Sequence, residues 1–324
     1  MDGNQTKLAV TYANDKLKDG AGAQLQRIYG IYALSRFLNV PYVHTPIATL
    51  GYQGLPALEA NSASPTLESE YNRIFRIPSD IELPPQRIVH EMQDADASRI
   101  MQLQGEAKMS DDFHFVRILM PYPITDRHPE LYRHATAISP FQYSRSNVFR
   151  IAIHVRRGEL YAIFGDRMLP NSYYVHCAMR SQEILRKIDI PFVCELYTEI
   201  PSKTFTVTPQ HHGIDGRISV NLTFDPAMNR VEDFDVLSNL HKFINSDPID
   251  TLRRMSTADA LIMSRSSFSY VAAILNASGV IIYHPFWHSP LKDWVIADDN
   301  GSFPEEDFVS RIKPWNNRLP ETLC

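Results

Sequence analysis

The sequence predicts an α/β protein of two domains, each built on a parallel sheet, facing each other across a cleft. Short apolar, β-branched runs alternate with stretches of helical periodicity along most of its 324 residues. That length accommodates two domains of ordinary size. A polar stretch from 138 to 147, broken by Pro140, parts the two alternating halves and puts the boundary between an N-terminal domain of residues 1–145 and a C-terminal domain of 146–324.

Taken in order, Leu8 to Ala13 is a short apolar strand. After Asp19-Gly20-Ala21-Gly22 comes a helix from Ala23 to Leu38, whose apolar Leu25, Ile28, Tyr29, Tyr32, Ala33 and Phe37 recur at helical spacing. Strand, Gly-rich turn and helix form a phosphate-cradle layout, but the Gly-x-Gly-x-x-Gly and P-loop fingerprints are not met. Val40 to His44 reads as a second strand and Thr45 to Glu70, rich in Gly, Pro, Ser and Ala, as a long loop. A short helix over Asn72 to Arg76, strands over Arg87 to His90 and Phe113 to Leu119, and a helix over Pro129 to Ala135 complete the first half.

The second half opens with a strand from Val148. A helix over 171 to 188, strands over Phe192 to Thr198 and Arg217 to Leu222, and helices over Asp235 to Ile244 and Asp250 to Ser256 follow. Ala258 to Met263 is then a strand, Ser267 to Asn276 a helix and Gly279 to Tyr283 a strand, an alternation that implies a parallel sheet.

Composition narrows the function. A formal net charge of −5 argues against a surface that tracks nucleic acid, so any anion site is local. Cys177, Cys194 and Cys324 lack the spacing of a disulfide framework or a structural zinc site and suit a reducing compartment. No apolar run approaches the roughly 18 to 20 residues of a membrane span, and the first residues lack the pattern of a signal peptide. A soluble, cytoplasmic chain without a membrane partner is expected.

Two stretches carry the chemistry. Residues 148 to 159, Val-Phe-Arg-Ile-Ala-Ile-His-Val-Arg-Arg-Gly-Glu, form a buried strand that ends by presenting His154, Arg156 and Arg157 beside Gly158 and Glu159. Ligands of open parallel sheets bind at the carboxyl ends of strands, and paired guanidinium groups there suit a diphosphate. Alone, the pattern is equally a solvated strand end with a core histidine. Residues 259 to 269 read as strand, hydroxyl-rich turn and helix, with Ser266 and Ser267 at the cap of that helix, which is either an ordinary serine N-cap or a site for a phosphate.

Together these stretches resemble a known group. His-Val-Arg-Arg-Gly-Glu is similar to the His-x-Arg-Arg-Gly-Asp motif of α1,2-fucosyltransferases and, less closely, to the matching stretch of α1,6- and protein O-fucosyltransferases. The run Ser-Arg-Ser-Ser-Phe-Ser-Tyr-Val-Ala-Ala within 250 to 275 resembles their Asn-Ser-Ser-Phe-Ser-Trp-Trp-Ala-Ala-like run. Gly20 to Leu25 resembles their Gly-x-Gly-x-Gln turn, and Leu196-Tyr197-Thr198-Glu199 sits where they carry a strand ending in Ser/Thr-Asp. Order and rough spacing agree over residues 8 to 285, while 45 to 145 match nothing in the group.

The resemblance implies a GT-B glycosyltransferase of two Rossmann-like domains. Residues 1–145 would form the acceptor side and 146–324 the donor side, with GDP-L-fucose as donor, a glycan as acceptor and no metal or other cofactor. It assigns Arg156 to the donor diphosphate and departure of GDP, with Arg157 supporting it. His154 and Asp259 would face the guanine or ribose, and Ser266, Ser267 and Phe268 the phosphates and sugar. Gly22 and Gln24 would approach from the other domain. Glu159 replaces the usual Asp and is either the acceptor's general base or an orienting partner of an arginine. Three alternatives stand beside this reading. One is a transferase for another nucleotide sugar, such as GDP-rhamnose or a UDP-sugar. Another is a metal-dependent enzyme using Asp94-Ala95-Asp96 or Asp233-Phe234-Asp235. The third is a catalytically silent binding module.

Overall fold

A computed structural model describes residues 7–62, 64–143, 146–158, 160, 167–207 and 221–316, with the backbone alone for 313–316. The chain is mixed α/β and falls into two compact units, Met1–Gly51 with Pro65–Pro140, and Tyr52–Ser64 with Phe141–Cys324. Up to residue 140 the elements are β1 (Leu8–Tyr12), α1 (Ala21–Leu38), α2 (Leu55–Ala60), α3 (Leu67–Ile74), β2 (Ile88–Asp94), α4 (Ala97–Met109), β3 (His114–Met120), α5 (Tyr122–Thr125) and α6 (Arg133–Thr136).

The first unit has a parallel sheet in the order β1-β3-β2. β1 is buried along its whole length and contacts α1, in which Leu25, Ile28, Ile31 and Leu34 are buried. Gly30 lets α1 approach the following turns, since a Cβ there would stand 2.7 Å from Cγ of Pro121 and 3.1 Å from the Tyr132 hydroxyl. The strand expected over Val40 to His44 reduces to one parallel bridge between Tyr42 and Val10. Pro41 has no N–H to extend a ladder, and only its carbonyl is used, accepting from Val10. The long loop expected from Thr45 to Glu70 contains α2 and the start of α3. An unanticipated helix, α4, begins where Asp96 accepts from the backbone N–H groups of Ser98 and Arg99, and it buries Ile100, Leu103 and Ala107 at helical spacing.

The second unit contains β4 (Phe149–Val155), α7 (Asn171–Lys187), β5 (Phe192–Thr198), β6 (Phe205–Val207), β7 (Leu222–Phe224), β8 (Leu240–Ile244), α8 (Pro248–Ser256), β9 (Ala260–Ile262), α9 (Ser267–Leu275), β10 (Val280–Tyr283), β11 (Val295–Ile296) and α10 (Glu305–Asn316). Its six-stranded sheet runs β8-β5-β4-β9-β10-β11 with every neighbouring pair parallel. Ranked by position in the chain, these strands stand 3-2-1-4-5-6, so the order reverses between β4 and β9. Crossovers that diverge at such a point open a crevice at the strands' carboxyl ends, where ligands of this architecture bind.

Burial on both faces explains why these strands read as continuous apolar runs. Ile151, Ile153, Leu196, Ile262 and Ile282 share one core with Tyr173, Cys177 and Ile184 of α7 and Phe308 and Ile312 of α10. Each such aliphatic side chain contributes about 1.5–3 kcal/mol. Residues 240–244, expected within a helix, form β8 instead, whose one neighbour among the described residues is β5, with Phe243 stacked on Tyr197 at 5.1 Å. The strand expected over Arg217 to Leu222 lies outside the described residues as far as 220. The described strand, β7, pairs antiparallel with β6. This hairpin packs on Leu55 and Leu58 of α2, which ties Tyr52–Ser64 into the second unit.

Candidate active site

At the reversal between β4 and β9 a side chain continues the pairing that the backbone ends. β9 ends after three residues, and the Ser264 hydroxyl takes over the pairing with β4, donating to the His154 carbonyl (2.5 Å) and accepting from the Arg156 N–H (2.7 Å). The same hydroxyl meets Tyr174 of α7 at 2.8 Å. From α9, the Ser269 hydroxyl accepts from the Ser264 N–H (3.2 Å) and hydrogen-bonds Nδ1 of His154. The β9–α9 turn is thereby locked to the end of β4.

His154 is buried, its ring 5.6 Å from that of Phe268. Burial, reinforced by Arg156 and Arg157, pushes its pKa down to about 3, so the imidazole is neutral at physiological pH. Arg157 is also buried. It donates to the carbonyls of Arg156 (2.9 Å) and Leu169 (3.1 Å) and to the Asn171 side chain, so it braces the loop leading to α7.

Arg156 is directed differently. Its Nη1 donates to Oε2 of Glu199 (3.1 Å), and its guanidinium lies over the Tyr52 ring, 4.9 Å from the centroid. Glu199 directly follows β5, and its carboxylate also accepts from the Tyr52 hydroxyl (3.0 Å) and the Leu55 N–H (2.8 Å). Two glycines make room for it. Gly158 has φ +42°, and a Cβ there would stand 2.6 Å from the Tyr52 hydroxyl and 2.7 Å from Oε2 of Glu199. Gly54 has φ +103° and would meet Oε1 at 3.1 Å. Asn229 steadies the strand end by donating to the Thr198 hydroxyl (3.0 Å) and the Glu199 carbonyl (3.2 Å).

Ser266 caps α9, its hydroxyl accepting from the Phe268 N–H (3.2 Å), and Ser267 and Phe268 are the first two helical residues. The exposed N–H groups and positive dipole end of that turn therefore flank the Ser264 that holds Arg156. The structure thus brings together His154, Arg156, Arg157, Ser266, Ser267 and Phe268 at one sheet edge. Glu159 lies outside the described residues.

Asp259 is not part of this group, which corrects its assignment to the guanine or ribose. It precedes β9, and in a parallel sheet that is the amino edge, about 20 Å of β4 away from Arg156. Buried there, it accepts from the Arg150 N–H (2.9 Å) and the Tyr143 hydroxyl (2.5 Å).

Gly22 and Gln24 belong to the first unit, near the start of α1. The Gln24 amide donates to the carbonyls of Asp19 (2.8 Å) and Thr49 (2.7 Å), joining the loops on either side of that helix. Asp96 of the first Asp-x-Asp triplet is the cap of α4. Asp233 accepts from Asn171 (3.1 Å), while Asp235 pairs with Lys242 (2.6 Å). Among the described residues no group of three or more His, Cys, Asp or Glu is arranged to hold a metal ion, and no helix is long and apolar enough to cross a membrane.

Sequence reasoning placed Glu199 in a motif, Ser264 and Ser269 in a hydroxyl-rich turn and Tyr52 in a long loop, without giving any of them a role. The signal for the two serines was present, because a hydroxyl-rich turn after a strand supplies bonds where a ladder ends. Tyr52 carried none, since its partner is remote in the chain.

No protein-family model matches the chain, and no curated protein matches its sequence. Among solved structures it is similar to the E. coli ADP-heptose LPS heptosyltransferase II at 16% identity and a TM-score of 0.23, over 48% of this chain. That match spans 38% of the heptosyltransferase II chain. It is similar to E. coli heptosyltransferase WaaC with ADP-2-deoxy-2-fluoro heptose at 10% identity and a TM-score of 0.37, over 96% of this chain and 99% of that one. The third is POFUT1 in complex with GDP, at 9% identity and a TM-score of 0.37, over 85% of this chain and 98% of that one.

Proposed function

We propose that the chain is a glycosyltransferase of GT-B type that transfers L-fucose from GDP-L-fucose to a glycan hydroxyl. The observation that carries the transferase reading is the placement of Arg156 and the amino terminus of α9 together at the carboxyl edge, where the strand order reverses. The choice of GDP-L-fucose and independence from metal rest on the motif resemblance.

In this reaction the bond from the sugar's anomeric carbon to the diphosphate oxygen breaks, and its electron pair leaves on GDP. The acceptor oxygen bonds to that carbon and gives up its proton to a general base, the role that the motif resemblance leaves open for Glu159. Negative charge grows on the diphosphate, and a fixed guanidinium and helix N–H groups stabilise it without reorganising. Gly158 allows the turn after Arg156 to stay close, and Glu199 with Tyr52 holds the guanidinium in place. His154, neutral and buried, props the turn from beneath.

The test is turnover of GDP-L-fucose by wild type and Arg156→Ala across a glycan acceptor panel, with UDP-sugars and GDP-rhamnose as competing donors. Loss of one preorganised donor to a developing anion lowers the rate by about 10²- to 10³-fold. Near-normal turnover of the variant at saturating donor would remove the diphosphate role, and preference for another donor would replace fucose. Nucleotide binding without transfer would mark a silent module.

A further inference from the structure

His154 has two ring nitrogens, and the chain engages one of them. Nδ1 meets the Ser269 hydroxyl of α9, while Nε2 has no hydrogen-bond partner among the described residues. The residue is only 6% exposed, so an N–H at Nε2 is largely shielded from bulk water with nothing in the described chain to receive it. Buried polar groups are seldom left in that condition.

Ser269 decides which nitrogen carries the proton. Its side chain is fully buried, and its oxygen already accepts from the Ser264 N–H (3.2 Å). Among the described residues its own proton has one acceptor within reach, Nδ1 of His154. A proton on Nδ1 would leave the serine O–H buried without an acceptor, which is the more costly arrangement. Ser269 therefore donates to Nδ1, and the proton of the neutral imidazole lies on Nε2. Burial, with Arg156 and Arg157 nearby, disfavours the imidazolium that would carry protons on both nitrogens.

This N–H belongs to the carboxyl edge where Arg156 acts. His154 is the penultimate residue of β4, two positions before Arg156, and the Ser264 hydroxyl bonds the backbone of both. Its ring lies against Phe268, in the first turn of α9. We infer that Ser269 is a positioning residue that holds His154 as the Nε2–H tautomer, and that this N–H donates to an acceptor oxygen of the donor nucleotide. The inference rests on the donor reading above. A neutral donor of fixed direction orients the nucleotide, while the guanidinium beside it answers the charge.

The experiment joins nitrogen-15 NMR of the histidine rings in the full chain to calorimetry with GDP, GMP and guanosine. The His154 signals are identified by their loss in His154→Phe. Expected for wild type at neutral pH is a protonated Nε2 and a bare Nδ1, with the Nε2–H signal shifting when GDP binds. Ser269→Ala is expected to admit the other tautomer and to weaken GDP about 3- to 10-fold, the size of one neutral hydrogen bond, and His154→Phe to weaken it by a similar factor. In the His154→Phe background Ser269→Ala should add nothing. An equal loss for all three ligands puts the acceptor oxygen on the base or ribose, and a loss confined to GDP and GMP puts it on a phosphate.

A proton on Nδ1 of the wild type overturns the inference, and that spectrum decides the tautomer even where a variant fails to fold. A Ser269→Ala loss that persists without His154 overturns the positioning role. If Arg156→Ala weakens GDP while His154→Phe binds it like wild type, the inference falls and the donor reading stands. A wild type that binds neither GDP, UDP nor ADP overturns the donor reading itself.

Discussion

The two edges of β4 pair the same residue types to opposite ends. At the amino edge Asp259 accepts from the Arg150 N–H and the Tyr143 hydroxyl, and the Arg150 side chain bonds Glu195 (2.9 Å). At the carboxyl edge Glu199 accepts from Arg156, Tyr52 and Leu55. Burial alone would raise the Glu195 pKa, but the bonds from Arg150 and Tyr197 override it and hold the carboxyl below its ordinary value. The amino-edge carboxylates stitch strand starts together. The carboxyl-edge group sits among a left-handed glycine, the first N–H of α2 and an arginine that follows the last strand residue. Function follows from which edge of a parallel sheet a charge occupies, more than from the charge itself.

The largest expected effect that probes this contrast is on stability. Asp259→Ala removes the acceptor from a backbone N–H and a hydroxyl, and urea unfolding should show a loss on the order of 3 kcal/mol. GDP affinity of the folded fraction should not change, and a matching loss of affinity would move Asp259 back into the site.

Next is the pH response of His154. Its imidazole stays neutral in the fold down to about pH 3, whereas the unfolded chain protonates it near 6.5, so between those values the unfolded state binds more protons. Stability therefore falls as pH drops from 6.5 toward 3, by about 2 kcal/mol at pH 5 from this group. His154→Gln should flatten that part of the profile between pH 7.5 and 5, and an unchanged slope would place the titration elsewhere.

Glu199→Gln sharpens the contrast from the other edge. The amide keeps an oxygen for Leu55 but loses the charge that orients Arg156, so transfer should fall about tenfold, equivalent to ~1.4 kcal/mol, with unfolding little affected. A large stability loss with intact turnover would make Glu199 a counterpart of Asp259. The smallest effect is that of Ser266→Ala, about 1 kcal/mol of stability as for an ordinary helix cap. Any additional loss of GDP affinity would mark its turn as part of the anion site.

Much of the second unit was legible because its strands are buried on both faces. Phe192–Thr198 declared itself as an apolar run, and Ser266 announced the start of α9 through its cap. β8 was misread because Leu237, Leu240 and Ile244 recur at helical intervals, and a strand with partly exposed residues lacks the pattern that would contradict them. α4 was missed although Asp96 and the spacing of Ile100, Leu103 and Ala107 announce it. In the site, Arg156 could be placed at a strand end from sequence. The position of Asp259 was also deducible, because a residue preceding a parallel strand belongs to the amino edge. Tyr52 could not be found, since nothing local to it signals a partner 147 positions away.

That distance bears on how the chain is made. The Tyr52 hydroxyl and Leu55 N–H emerge from a ribosome well before Glu199, and at about 5–20 residues per second the wait for a 147-residue separation is roughly 7 to 30 s. During that time Leu55 and Leu58 have neither strand of the β6–β7 hairpin to cover them. A fragment starting at residue 141 would inherit Glu199 without its Tyr52 and Leu55 donors, so expressing the second unit alone calls for residues 52–64 to be spliced onto it or supplied as a peptide.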